Sequence, residues 1–448
     1  MSPFNQVRQR GDSRILMETL WLPIVVLLGT LIVFLVSGLW LGVGLSLVAI
    51  ICYTNFTDLP MTGIITRIMF SQSTSYTLMA IPMFVLMGQI LFFSGIVGHL
   101  YKGLTPWVSR LPGKLLQTNV ISCTLMSAIT GSTVATAATI SSIAVPTLRE
   151  RGYATGPVVG TIGGASLGLL IPPSLYFIIY GMLTEQSISR LYTAGLLPGL
   201  MTQLMFMIFV GALALLRPDL TPGREPVTKR DLLLSLPRIL PTIGLIALVL
   251  GMIYLGISTV TEAAAIGVLG ALILMIGFRR FNLQDIKAAL FNTVRISGMI
   301  IFIMMAAMVL SNIIGYLGIP TQLARMVTES SVVSPGIIFL FIVLMYLFLG
   351  TFLDGMAMVL LTLPVVFPVI IALGYNPIWF GVVLALMIEI AQITPPLGFG
   401  IYVLQSSTGL PVTHIMKWQL PFVSLMLLAV LLLYLFPQIA LYLPATMH

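Results

Sequence analysis

Charge is what this chain has least of. Only 8% of its 448 residues are Asp, Glu, Lys or Arg, against 58% apolar, and mean hydropathy is +1.09. A soluble domain needs a polar surface, so the composition excludes that class and indicates a helical protein crossing a membrane many times. Cysteine is nearly as scarce. Cys52 and Cys123 stand in apolar context without CxxC or Cys/His spacing, which argues against a disulfide framework or a thiolate metal site. His99, His414 and His448 lie near loops or the terminus with no ligand spacing, which disfavours a proton relay through imidazole. The apolar segments hold few carboxylates, and Glu262, Asp354 and Glu389 are scattered. A membrane-embedded enzyme needs its acid–base groups clustered, so that class is disfavoured. No GxxxxGK[ST] loop occurs, which counts against ATP-driven transport. The net charge of +8 does not mark a nucleic-acid partner, because Lys and Arg sit between hydrophobic runs as loop charges do.

What the chain does have is concentrated between Ser127 and Gly181. There SAITGSTVATAATISSIAVPTLRERGY is followed by a glycine-rich apolar run and LLIPPSLYFIIYG. Thr130, Gly131, Ser132, Thr133, Thr136, Thr139, Ser141 and Ser142 let backbone and hydroxyl oxygens approach one another where larger side chains would hold them apart. Pro172-Pro173 removes two amide donors and stops a straight helix. Broken helices survive at membrane depth only where protein or a water-filled cavity satisfies the freed backbone, and in secondary transporters substrate and ions sit at such breaks. Small residues also let helices pack closely. Their place beside a Pro-Pro break favours the binding reading.

The same design recurs. Pro146, Gly152-Tyr153 and Pro172-Pro173 have counterparts in Pro368, Gly374-Tyr375 and Pro395-Pro396. The offsets are 222 (368 against 146), 222 (374 against 152) and 223 (395 against 172), and Leu197-Pro198 matches Leu420-Pro421 at 223 (420 against 197). The spacing predicts two repeats, each with a re-entrant hairpin and a broken helix. At that offset Ser132 aligns with Asp354.

In order, residues 1–18 read as a polar tail and 19–216 as the first repeat. Spans at 19–37 and 40–56 are followed by an interfacial arm at 57–74. A span at 77–97, a hairpin at 117–148, a broken helix at 155–180 and a span at 191–216 complete it. The apolar run after Arg8, Arg10 and Arg14 has no cleavage site and reads as the first membrane helix. Residues 217–239 read as a cytoplasmic linker. The second repeat, 240–448, has spans at 240–257 and 261–278, a basic arm at 279–295 and a span at 296–316. A hairpin at 335–371, a broken helix at 377–404 and a span at 419–440 follow. This predicts an all-α polytopic protein of ten spanning helices and two hairpins.

Fifteen Lys and Arg fall on the side holding 102–114, 149–151, 217–238, 279–295 and 417, against six on the other. The positive-inside bias makes the first set cytoplasmic. The first hairpin then enters from the cytoplasm and the second from outside, with both termini outside. Asp354, in the second tip, either supports a cation or caps a helix. Glu389, in the broken helix, makes either a buried structural hydrogen bond or part of an ion path. Glu262 completes Thr259-x-x-Glu262, a capping box. Carbonyl and hydroxyl oxygens suit Na⁺, a hard cation, and half-helix N-termini suit an anion.

GSTVATAATI, the RGY after it, GLLIPPS, STVTEAAA, GTFLDGMA and ITPPLG together resemble the large membrane subunit of tripartite ATP-independent periplasmic (TRAP) transporters, in order over nearly the whole chain. The resemblance implies a Na⁺-driven importer of an organic anion, usually a carboxylate, in the bacterial inner membrane. It also implies an elevator fold, a periplasmic substrate-binding protein and a small four-helix membrane subunit, expected as a separate chain because about 18 polar residues precede the first span. No cofactor is implied beyond the coupling ion. Carried over by motif, one sodium site falls at Ser127, Gly131, Ser132, Ile171 and Pro172, and a second at Gly350, Asp354, Thr394 and Pro395. Substrate is expected between the tips, at Ser132, Thr133, Pro173, Ser174, Gly355 and Pro396. Gln392 and Thr136 depart from the family's usual pattern. The runner-up is a divalent-anion or citrate-type sodium symporter that needs no binding protein. A channel is disfavoured by two closed hairpins.

Overall fold

The computed structural model describes residues 13–222, 228–329, 334–394 and 398–447. Among these every regular element is helical. The first half runs α1 (Ser13–Val36), α2 (Leu41–Phe56), α3 (Met61–Ser73), α4 (Ala80–Phe93), α5 (Ile96–Val108), α6 (Leu115–Thr130), α7 (Thr133–Glu150), α8 (Thr155–Gly164), α9 (Leu175–Thr184) and α10 (Ile188–Leu216). The second runs α11 (Lys229–Tyr254), α12 (Val260–Gly277), α13 (Leu283–Leu317), α14 (Ile319–Glu329), α15 (Pro335–Leu349), α16 (Gly355–Ala372), α17 (Pro377–Ile393), α18 (Phe399–Thr408), α19 (Val412–Leu435) and α20 (Gln438–Ala445).

Local chemistry explains several boundaries. Ser132, in extended conformation, accepts a hydrogen bond from the amide of Ala135 and caps α7. The expected capping box is present at α12, where Thr259 and Glu262 satisfy each other's backbone amides. A second box, Thr228 with Asp231, starts α11. That box makes a difference from expectation, because helix begins at Lys229 rather than near 240 and takes in part of the segment read as linker. Pro237 and Pro241 lie inside α11 without ending it.

The basic arm at 279–295 and the span at 296–316 also differ from expectation. From Leu283 to Leu317 they form one helix of 35 residues. In the first half the same junction is interrupted by Thr74 and a 3₁₀ turn at Tyr76–Met79. Seven helices among the described residues are long and apolar enough to cross a membrane. The count falls below ten because the apolar stretch Trp21–Phe34 of α1, α2 and the pieces of the two broken helices are short, although α16, a hairpin helix, is among the seven.

Contacts divide the chain into two compact units that cut across the two halves. One comprises the described parts of Met1–Leu78, Arg295–Ile342 and Met356–Pro377, and the other Met79–Val294, Val343–Gly355 and Ile378–His448. Within the first unit α1 packs on α2, and the Tyr53 hydroxyl donates to Asn312 Oδ1 at 2.7 Å. Gly42 lies so close to Phe302 that a Cβ there would sit 2.5 Å from the ring. Within the second, α12 packs along α4, α11 along α5, α18 along α7 and α19 along α8. The core of this second unit is α17, in which every residue from Ile378 to Ile393 is buried.

Candidate functional site

The first hairpin turns at Gly131, which caps α6 in left-handed conformation (φ 61°) that side chains other than glycine rarely adopt. Ser132 then starts α7, so two residues reverse the chain. A web of hydroxyls holds the turn. Ser127 Oγ donates to Thr136 Oγ1 at 3.2 Å, Thr130 Oγ1 lies 3.1 Å from Thr136 Oγ1, and the Ser132 amide donates to Thr130 Oγ1 at 3.3 Å. Thr136, singled out as a departure from the family pattern, is thus buried among the tip's own hydroxyls.

Between α8 and α9 the chain is non-helical from Ala165 to Ser174, and this segment lies against the tip. A Cβ on Gly168 would sit 3.0 Å from the Thr133 amide nitrogen and 3.1 Å from the Ser132 carbonyl carbon. Backbone therefore touches backbone. Ser174 Oγ donates to the Leu169 carbonyl at 2.7 Å, and the Tyr192 hydroxyl to the Ser174 carbonyl at 3.3 Å. Side chains thus supply partners that helix would otherwise provide.

The residue that ties tip to segment is Glu389, on α17. It is fully buried. Thr133 Oγ1 donates to its Oε2 at 2.7 Å, and the Leu169 amide donates to its Oε1. The Tyr176 hydroxyl, on α9, adds a bond to the Gly381 carbonyl of α17 at 2.9 Å. The second tip packs on the same helix. A Cβ on Gly350 would sit 2.0 Å from that of Ala391, and one on Gly355 would meet Ile388 at 2.4 Å and Gln392 Nε2 at 2.6 Å. Gln392, the other departure, is buried against this second tip.

Of the residues expected at the first site, Ser127, Gly131 and Ser132 lie at the tip, with Thr133 beside them, and Ile171, Pro172, Pro173 and Ser174 belong to the non-helical segment that meets the tip at Gly168. Ile171 itself packs on Gly199 of α10, and Pro172 lines a cavity with Tyr192 of α10 and Leu250 of α11. The Thr133 hydroxyl hydrogen is committed to Glu389 and that of Ser174 to Leu169; Ser132 is the half-buried member. At the second tip, Gly350 and Gly355 pack on α17 as described. Asp354 immediately precedes α16 and is exposed. Thr394 Oγ1 turns back to the Ile390 carbonyl, and Pro395 and Pro396 lie outside the described residues. Among the described residues no three His, Cys, Asp or Glu side chains cluster, so the tips offer hydroxyls, carbonyls and helix ends. The C-terminal ends of α6, α8 and α17 present carbonyls, and the N-terminal ends of α7 and α9 present amides.

Polytopic helical architecture with a hydroxyl-rich turn beside an interrupted helix is the arrangement that membrane transporters use to bind substrate and ions. Over residues 28–439 the chain matches the family described as tripartite ATP-independent periplasmic transporter, DctM component. It is 32% identical over 378 residues to the C4-dicarboxylate TRAP transporter large permease protein DctM of Pseudomonas aeruginosa, across 84% of this chain and 88% of that one. It is 30% identical over 418 residues to the ectoine/5-hydroxyectoine TRAP transporter large permease protein UehC of Ruegeria pomeroyi, across 92% and 97%. The solved YdaH transporter of Alcanivorax borkumensis has a similar fold, with TM-score 0.60, 84% of this chain and 86% of that one covered, and 14% identity. The chain belongs to the DctM family. It is a multi-pass membrane transporter permease and not an enzyme.

Proposed function

We propose that the protein is the large subunit of a Na⁺-coupled importer of an organic anion in the inner membrane. Substrate is delivered by a periplasmic binding protein, and a small membrane subunit completes the complex. The observation that carries this reading is the seating of the non-helical segment at Gly168 directly on the tip at Ser132–Thr133. That contact gathers carbonyls and hydroxyls of the kind a sodium ion prefers, next to helix N-termini that favour an anion. The set Ser127, Gly131, Ser132, Ile171 and Pro172 would take one ion. Gly350, Asp354, Thr394 and Pro395 would take another. Substrate would lie between the tips, at Ser132, Thr133, Pro173, Ser174, Gly355 and Pro396. A carboxylate is the favoured class, supported by the C4-dicarboxylate relative. The ectoine relative shows that the family's range is wider, and specificity is assigned largely to the binding protein.

The two halves are read as inverted repeats around a mobile domain that moves as an elevator, with the basic loops cytoplasmic. Matching helix starts support the repeat: α16 begins 222 residues after α7 (355 against 133) and α17 begins 222 after α8 (377 against 155).

Proteoliposomes carrying both membrane subunits, with labelled succinate and the binding protein, test the reading. Uptake is expected to require a sodium gradient and to fail on a proton gradient alone. Equal uptake in choline buffer removes sodium coupling, and full uptake without binding protein favours the binding-protein-independent symporter.

A further inference from the structure

Glu389 has no place in either ion site, yet no other carboxylate described above is so completely enclosed. Burying a carboxylate is costly unless its oxygens are well bonded. Here both oxygens are used, and both donors come from the first half of the chain. Thr133 follows Ser132 directly, and Leu169 stands two residues before Ile171. Leu169 is held through both of its backbone polar groups, its amide donating to Glu389 and its carbonyl accepting from the Ser174 hydroxyl. Without Glu389 the segment would keep its packing at Gly168 but lose the bond fixing its register against the tip. The helix that carries Glu389 also carries Ile388, Ala391 and Gln392 against the second tip.

We propose that Glu389 is a positioning residue for the first cation site, its carboxylate clamping Thr133 of the hairpin tip to Leu169 of the non-helical segment so that the oxygens on each stand at the spacing sodium requires. This rests on the sodium reading above. Glu389 itself does not touch the ion. It acts as outer-shell partners do at metal sites, by holding the ligands in place, and loss of such partners typically weakens metal binding about 10- to 100-fold.

The test is equilibrium binding of radioactive sodium to the purified full chain in nanodiscs, with choline as replacement cation, beside thermal melting in choline alone. Glu389→Gln keeps size but places an amide NH₂ opposite one of two donors, and sodium affinity is expected to fall at least about tenfold. Thr133→Val leaves the carboxylate and removes one tie, and a smaller loss in the same direction is expected. Should Glu389→Gln fail to fold, Thr133→Val decides. Lowered melting in choline with unchanged sodium affinity makes the clamp merely structural and overturns the proposal. Wild-type protein that binds no sodium overturns the sodium reading and this inference together. Normal wild-type binding with unaltered variants overturns this inference alone.

Discussion

Gly168→Ala would place its Cβ 3.0 Å from the Thr133 amide nitrogen and 3.1 Å from the Ser132 carbonyl carbon. Both atoms are backbone and cannot rotate away, so tip and segment must separate by a few tenths of an ångström. Overpacking of this kind costs about 1–3 kcal/mol, and here the strain falls on the expected cation ligands. The variant is expected to melt lower and to need more sodium for half-maximal uptake. Gly244→Ala is the control. It lies in α11 with nothing within 4 Å of its Cβ, so sodium dependence should not move and melting should hold or rise, alanine being the better helix former. Sodium titration beside thermal melting checks both. The tip itself was legible in the sequence, because a run of hydroxyls and glycine next to Pro-Pro has no ordinary place in an apolar helix. The clamp was not. Thr133 and Leu169 stand 256 and 220 residues from Glu389, and no spacing rule connects residues so far apart. Repeat alignment drew attention to Asp354, which proves exposed, while among the described residues the carboxylate that the fold encloses completely is Glu389.

Among elements, those announced by side-chain chemistry were the most legible. Thr259 and Glu262 predicted the start of α12, and the box is made on both sides. Thr259→Ala removes the cap and is expected to cost about 0.5–2 kcal/mol, read as a lower melting temperature with sodium dependence unchanged. Glu262→Gln retains an acceptor for the Thr259 amide and should cost less. A larger loss for Glu262→Gln than for Thr259→Ala would mean that the carboxylate has a role beyond the cap. Elements without such a mark have less legible boundaries. Arg295 looked like the end of an arm, but no proline interrupts α13 and one charge does not stop a helix. At 1.5 Å per residue its 35 residues reach about 52 Å, well beyond a hydrocarbon core of roughly 30 Å, so part of it must run outside the apolar layer. Pairs of equal elements were easier. α9 and α18 each have ten residues and end on a left-handed residue, Glu185 (φ 55°) and Gly409 (φ 70°). The halves differ where the breaks are made, since α8 stops after ten residues and α17 continues for 17. Glu389 lies in that added length.

At the scale of the whole molecule, the inverted-repeat reading makes a definite statement about which way the two halves face. The compact units do not follow the halves, because each draws segments from both; contact alone therefore does not reveal an inverted repeat. Charge does bear on it: the layout expected from the sequence puts fifteen Lys and Arg on the side read as cytoplasmic and six on the other. The sharpest comparison is between equivalent places: Glu185 after α9 and Ser407 near the end of α18 are both exposed. A direct repeat of even span number would leave them on one side of the membrane, whereas inversion places them on opposite sides. Cys52 and Cys123 are buried and free, so native thiols should react little with an impermeant maleimide. Glu185→Cys and Ser407→Cys, made singly, then report their own sides in intact cells and in inside-out vesicles. Glu185→Cys is expected to label from the periplasm and Ser407→Cys from the cytoplasm, in agreement with Lys417 just beyond it. Labelling of both from one side would remove the inverted relation, and with it the entry of the two hairpins from opposite faces on which the elevator reading depends.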